Sequence, residues 1–426
     1  MTSTKPPSGT RDFLPEDIRR REYVIGVVRR TYERYGYEPL ETPAFENIET
    51  LLGKYGEEGN KLIFKILKRG EHEASGEADL ALRYDLTVPL ARVVAQYQNE
   101  LPKFFKRYQI QPVWRADRPA KGRFREFYQC DIDSIGSTSP VVEAEQLAAV
   151  SEVLTTLGFQ DFKIRLNHRQ HLPVLLAQHF DIHAASQQAE ALIALDKLDK
   201  IGAEGVAEEL EKRQLTTRAK AIEGLKDAAG RLPPADVEAL MQLSCETPAS
   251  GKLVFDPFLA RGLSYYTGAI MEISVPDLAG SLGGGGRYDN LVGMFLGRDV
   301  PACGFSLGLE RIIVVMTERG MFPPHVAGSN ADAMVTIWDE GSRADALALA
   351  GELRGAGLRV DVYPEPDKPG KQLKYASSRN VPFVTIVGPD ERSQHVVTVK
   401  DLGRGEQQTM PRADVAAFIL RTTRTS

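Results

Sequence analysis

The sequence has little cysteine. Three thiols, Cys130, Cys245 and Cys303, are scattered over 426 residues. They lie far apart, follow no metal-ligand spacing and leave an odd count, which suits a reducing, intracellular compartment. Long apolar runs are also missing. The opening stretch MTSTKPPSGTRDFLPED has no apolar signal core, and no later segment stays apolar over a membrane-spanning length. A cytoplasmic protein with no signal peptide and no membrane span is therefore expected. There is no internal repeat and no low-complexity tract of note. Positive charge is not in excess: the formal net charge is −5. That argues against indiscriminate nucleic-acid binding but leaves room for a local basic surface.

What is present is an ordinary globular composition, 42% hydrophobic and 26% charged. The length predicts two or three domains and allows a large core. A Pro/Gly-rich lead-in ends in GTRDFLPED, where Pro15, Glu16 and Asp17 start a helix that runs from about Asp17 to Arg34. Val24, Val27, Val28 and Tyr32 form its apolar face. The stretch YEPLETPAFE is extended and broken by prolines. Residues 53–77 read as a mobile loop crossed by a short strand, Leu62 to Leu67. Leu80 to Arg83 alternate as a strand. Asp85 or Thr87 then either caps the helix that follows Pro89 or faces a pocket, where a carboxylate can hold an ammonium group.

The most informative stretch is KFFKRYQIQPVWRADRPAKGRFREFYQCDID, Lys103 to Asp133. It predicts two antiparallel strands joined by a long loop carrying Arg115, Arg118, Lys121, Arg123 and Arg125. Arginine forks grip phosphate oxygens in pairs, so the loop suits a polyphosphate or a nucleic acid; a solvated basic hairpin is the plainer alternative. Further on, Val141 to Leu157 predicts an amphipathic helix ended by Gly158, and FKIRLNH a strand. Residues 171 to about 248 are rich in Ala, Leu, Glu and Lys and predict a helical insertion. In ARGLSYYTG, strand alternation would let only one of Tyr265 and Tyr266 face a ligand. Four glycines, Gly283 to Gly286, leave no side chain between backbone and ligand. Ala302 to Leu307 predicts a strand. A helix from Leu309 then places Arg311 in its first turn, an anion-binding position. After a linker at 322–331, strands and helices alternate to Arg421, which predicts a compact α/β domain.

The segment FKRYQIQPVWRADRPAKGRFREFYQCDID resembles the second signature motif of class II aminoacyl-tRNA synthetases, and most closely that of histidyl-tRNA synthetases. GTRDFLPED resembles that family's N-terminal signature, and the helix–strand–proline unit its dimer-forming first motif. Whether the apolar face of the first helix packs against a second copy or inside one subunit stays open. LRYDLT, ARGLSYYTG and SLGGGGRYDN resemble the family's histidine-site segments. VPACGFSLGLERIIVVM resembles the third class motif, and KPGKQLKYASSRNVPFVTIVG an anticodon-binding domain. Two residues depart from the pattern: Ser264 stands where the family usually has Asp, and Ala120 where many bacterial members have Gln.

The resemblance implies an α+β protein with an antiparallel-sheet catalytic domain (residues 1–170 and 251–325). A helical insertion would occupy 171–250 and an anticodon-binding α/β domain 332–424. It implies activation of histidine by ATP, with Mg2+ carried on the phosphates, then esterification of the 3′-terminal adenosine of tRNA(His) by a homodimer. By the same resemblance, Arg115 and Arg261 flank the reacting phosphate. Asp117, Arg123, Phe127 and Arg311 hold the rest of ATP. Asp85, Thr87, Gln129, Asp133, Arg261, Tyr265 and Tyr266 hold histidine, and Arg118, Lys121 and Arg123 meet the tRNA. No residue is assigned as a ligand to a resident metal. The alternatives are a non-catalytic paralogue, such as the regulatory subunit of ATP phosphoribosyltransferase, and a sensor of histidine or RNA. Lys368, Lys371 and Lys374 either meet phosphates or are solvated helix charges.

Overall fold

The structure, a computed structural model, describes residues 4–70, 75–261 and 265–424. It divides into two compact units, Met1–Met321 and Phe322–Ser426. The strands of the first unit, in chain order, are β1 (Glu38–Pro39), β2 (Phe45–Asn47), β3 (Lys65–Leu67), β4 (Ala78–Leu82), β5 (Phe105–Trp114), β6 (Glu126–Ile135), β7 (Lys163–His168), β8 (Leu253–Phe255), β9 (Ala269–Ser274), β10 (Gly283–Arg287) and β11 (Ala302–Gly308).

Eight of them form one sheet in the order β1-β5-β6-β11-β10-β9-β7-β8. Its central six strands are antiparallel, and the two outer pairs, β1 with β5 and β7 with β8, are parallel. The expected hairpin is β5–β6, in register from Phe105 opposite Ile135 to Trp114 opposite Glu126. The glycine run is a central strand, buried throughout and paired on both sides. Residues without side chains are needed there: a Cβ at Gly285 would overlap the Gly304 carbonyl.

One face of the sheet is covered by the helices Pro15–Arg34, Val141–Thr156 and Leu309–Glu318. The first buries Val24, Val27, Val28 and Tyr32 inside its own chain. The second differs from the amphipathic helix expected. Its residues 143–144, 146–151 and 153–154 are all buried, because the sheet, the first helix and the helix Ala235–Leu243 surround it. Ala, Ser and Gln positions that look polar or neutral in the sequence are enclosed there.

The strands β2, β4 and β3 make a separate small sheet beside the helix Thr87–Gln96. The loop expected at 53–77 contains a short helix, Gly56–Lys61, and the strand there is only β3. The insertion consists of five helices, His171–Phe180, Ala185–Leu195, Leu198–Lys212, Arg218–Ala229 and Ala235–Leu243. They close over Leu176, Phe180, Leu195, Leu210 and Leu225.

The second unit has a five-stranded sheet in the order Val360–Val362, Ala333–Val335, Phe383–Ile386, Val396–Asp401 and Gln407–Pro411. The first three strands are parallel and the last two antiparallel. Val335, Leu349, Phe383, Val399 and Ile419 form its core. The helix Pro389–Gln394 and the edge strand Gln407–Pro411 were not expected. Both are short and polar, and neither has the apolar period that marks an element. Among the described residues, no helix is long and apolar enough to cross a membrane.

Candidate active site

A cavity of about 460 Å³ opens on the face of the large sheet opposite those three helices, over β6, β11, β10 and β9. Strand alternation sends Gln129, Asp131 and Asp133 of β6 into it, and β10 contributes bare backbone. The cavity has a cationic end and an acidic end.

At the cationic end are Arg115, Arg123, Arg261 and Arg311. Arg115 follows β5. Its Nε donates to the Tyr84 carbonyl at 3.0 Å, and its guanidinium sits 4.3 Å from the Tyr84 ring centre and 5.1 Å from that of Phe127. Arg261 has φ 33°, rare for a residue with a side chain, and its Nη1 donates to Glu272 Oε2 at 3.1 Å. Arg311 is tied by Nη1 to the Ser281 carbonyl at 2.5 Å and by Nε to Gly122 at 3.4 Å. Burial lowers its pKa, and the charges of Arg123, Arg115 and Arg261 lower it further. Several cations held this close form a field that an incoming polyanion relieves. Asp117 lines the same end and accepts from Arg123 Nη2 at 2.8 Å; Phe127 lies beside it. Arg118 and Lys121 are exposed and outside the cavity lining, and Lys121 pairs with Glu318 at 2.8 Å.

At the acidic end, Asp85 has two roles at once. Its Oδ1 accepts from Val88 N at 3.1 Å, at the start of a helix, and from the Tyr55 hydroxyl at 2.9 Å. Its Oδ2 is buried with no partner. Gln129 Nε2 donates to Ser306 Oγ at 2.8 Å, which leaves Oε1 unpaired. Asp133 accepts from the Tyr288 hydroxyl, while its Oδ2 lies 2.8 Å from Arg107 without an aligned hydrogen bond. Asp85 Oδ2 and Gln129 Oε1 thus border the cavity as unpaired buried acceptors, beside the Asp133 carboxylate, and a buried acceptor left unpaired is costly. Burial raises the pKa of both Asp85 and Asp133.

Tyr265 and Tyr266 correct the strand-alternation reading. They lie before β9 in non-strand backbone, and both are 7% exposed and line the cavity, with ring centres 5.1 Å apart. Thr87 lies close to Tyr265 and also lines the cavity. Ser264 lies outside the described residues.

Sequence reasoning missed Arg107, Asp131, Glu272 and Tyr288. Asp131 falls two residues from Asp133 on the same strand face. Period-two counting alone would have found it. Arg107 sits directly opposite Asp133 in the register. Glu272 bridges Arg261 and Arg165, whose Nη2 donates at 2.5 Å. Its partner Arg165 lies opposite it on β7, in a pairing no local pattern announces.

An antiparallel sheet with an arginine leaving its central hairpin and another opening the helix after β11 defines a class II aminoacyl-tRNA synthetase. The histidyl-tRNA synthetase family model matches residues 9–312, and the anticodon-binding domain model matches 327–422. The chain is 40% identical to a histidine–tRNA ligase of Christiangramia forsetii, over 95% of this chain and 96% of that one. It is 41% identical to one of Cytophaga hutchinsonii, over 96% and 97%. A solved histidyl-tRNA synthetase from Nostoc sp. PCC 7120 superposes with a TM-score of 0.78 at 31% identity, covering 99% of this chain and 100% of that one. The chain belongs to the histidyl-tRNA synthetase family.

Proposed function

We infer that this chain is a histidine–tRNA ligase whose two half-reactions take place in the cavity described above. The observation that carries the reading is the pair of unpaired buried acceptors, Asp85 Oδ2 and Gln129 Oε1, beside the buried Asp133 carboxylate, in one cavity with four arginines. The acceptors match a ligand bearing an ammonium group and an imidazole N–H. The arginines match a triphosphate. A regulatory subunit or a sensor of histidine alone would explain the acidic end but leave the cationic end without a ligand, and a sensor of RNA alone would leave the acidic end without one.

In the first step a histidine carboxylate oxygen attacks the α-phosphorus of ATP, and pyrophosphate leaves. Two anions must meet, so fixed positive charge and alignment supply the catalysis. Arg115 and Arg261 flank the α-phosphate, and Arg311 holds the outer phosphates. Phe127 stacks on adenine, and Asp117 and Arg123 orient the nucleotide. Mg2+ arrives as the ATP salt and neutralises phosphate charge. Asp85, Thr87 and Gln129 meet the amino and carboxylate ends of histidine. Asp133, with Tyr266 and Tyr265, meets the ring. A ligand without both ring nitrogens leaves buried groups unpaired, which discriminates strongly.

In the second step a ribose hydroxyl of the tRNA's terminal adenosine attacks the adenylate carbonyl, and AMP leaves. Arg118, Lys121 and Arg123 meet the acceptor end. A cytoplasmic homodimer is part of the same reading. The apolar face of the first helix is consumed inside the chain, so a dimer would use other surface, such as exposed Phe45 and Leu67 on the small sheet. The test is aminoacylation of tRNA(His) with labelled histidine, comparing wild type with Asp133→Asn. We expect the variant to need at least about tenfold more histidine. An unchanged histidine requirement would remove Asp133 from the ring site.

A further inference from the structure

A second cluster of ligating side chains stands apart from the cavity. His168 ends β7, His171 opens the first helix of the insertion, and Asp236 lies in the first turn of its last helix, Ala235–Leu243. Their donor atoms all fall within 4.8 Å of one another. His171 Nε2 is 2.9 Å from both carboxylate oxygens of Asp236, and His168 Nδ1 is 3.7 Å from Oδ2. The two imidazole rings are 5.3 Å apart at a 54° tilt. None of the three lines the cavity.

We propose that His168, His171 and Asp236 form a site for a divalent transition-metal ion, of which zinc is the representative case. The donor set is two imidazole nitrogens and one carboxylate, which suits zinc and its first-row neighbours and leaves a position for water. Two of the three donor separations fit as well, and the third stays within 4.8 Å. Metal–ligand bonds of about 2.0–2.1 Å at tetrahedral angles put adjacent donors roughly 3.3 Å apart. The two measured separations, 2.9 and 3.7 Å, lie on either side of that value.

Gln170 N approaches His168 Nδ1 at 3.4 Å, the outer limit of a hydrogen bond, so a metal ion at Nδ1 would replace a weak contact. Asp236, His171, Glu143 and Arg287 are the charged or titratable groups that face His168. Glu143 and Arg287 are already paired to each other at 2.6 Å, which leaves Asp236 as the anion of the cluster.

The location gives the site a consequence. Residues 169–235 run from one foot of the insertion to the other, so the ion would tie both feet to the end of β7. It would act as a structural clamp on the insertion and take no part in adenylation.

The experiment uses full-length protein freed of metal with a chelator, then titrated with Zn2+ by calorimetry and with Co2+ by visible absorption. Wild type should bind one Zn2+ per chain and show the tetrahedral cobalt spectrum. Losing a direct ligand costs at least as much as losing an outer hydrogen-bond partner, so His171→Ala and Asp236→Asn should each weaken binding at least about tenfold. Zinc should raise the melting temperature of wild type and not of the variants. ATP–pyrophosphate exchange should be unchanged in both. His168→Gln serves as a third variant should either of the others fail to fold. Wild type without stoichiometric zinc at micromolar free metal, or variants that bind it as tightly, would overturn the proposal and leave only a His–Asp ion pair.

Discussion

Arg107 and Asp133 face each other across neighbouring strands as a buried ion pair, 2.8 Å from Nη2 to Oδ2, with Arg107 fully enclosed and Asp133 2% exposed. Asp131 lies on the same face of β6, with Oδ2 4.0 Å from the same guanidinium. One arginine therefore faces two buried carboxylates beside the cavity. Arg107→Met would leave both without their cation. Breaking a buried pair in this way costs about 3–5 kcal/mol. Urea unfolding should show a midpoint lowered accordingly, with the slope unchanged.

The second carboxylate makes stability depend on pH. Burial, with Asp133 adding to it and Arg107 opposing, pushes the Asp131 carboxyl up from 3.8 to about 7. Between those values the folded state holds more protons than the unfolded one, so stability contributed by this group falls as pH rises through that window. Asp131→Asn removes the titration. We expect the variant to gain on wild type from about pH 4 to about pH 7, and the gap to stay flat above. Unfolding free energies at about pH 5 and about pH 8 would check it; a gap that does not widen would contradict the rise that burial imposes on Asp131.

Gly304 packs against that site. A Cβ there would overlap the Asp133 carboxylate and come within 3.1 Å of the Tyr288 ring. Gly304→Ala should cost about 1–3 kcal/mol of stability from overpacking. The displaced Asp133 should also raise the histidine KM for pyrophosphate exchange while the ATP KM moves little.

Glu272 positions Arg261 and is itself bound by Arg165. Glu272→Gln keeps the shape and removes the charge between the two arginines. A small misplacement of a group at the reacting phosphate costs up to about 100-fold in rate. Exchange kinetics should show a fall in kcat with little change in histidine KM; an equal change in both would assign Glu272 to binding instead.

Much of this architecture was legible in the sequence. The β5–β6 hairpin, the glycine strand and the helix carrying Arg311 announce themselves through alternation, missing side chains and a strand–glycine–helix junction. Single cavity residues such as Arg115, Asp85 and Tyr266 were found on motif segments. What stayed hidden depends on distant pairing. Arg107 and Glu272 reach the site through cross-strand register, and Tyr288 through the packing of the turn after β10. The helix Val141–Thr156 was misread because enclosure by two helices and a sheet is a tertiary fact. The pair Tyr265–Tyr266 was misread because their backbone leaves the strand geometry assumed for it. Asp131 was visible in the period of β6 and was overlooked.

The central claim, that this cavity joins histidine to ATP through Arg261, is tested most directly by amino-acid-dependent ATP–pyrophosphate exchange on wild type and Arg261→Ala. We expect wild type to exchange with histidine and with no other amino acid. Arg261→Ala should fold, still bind histidine and lose at least about 100-fold in exchange, the scale for removing one preorganised electrostatic donor. Undiminished exchange in the variant, or exchange supported by several amino acids, would contradict it.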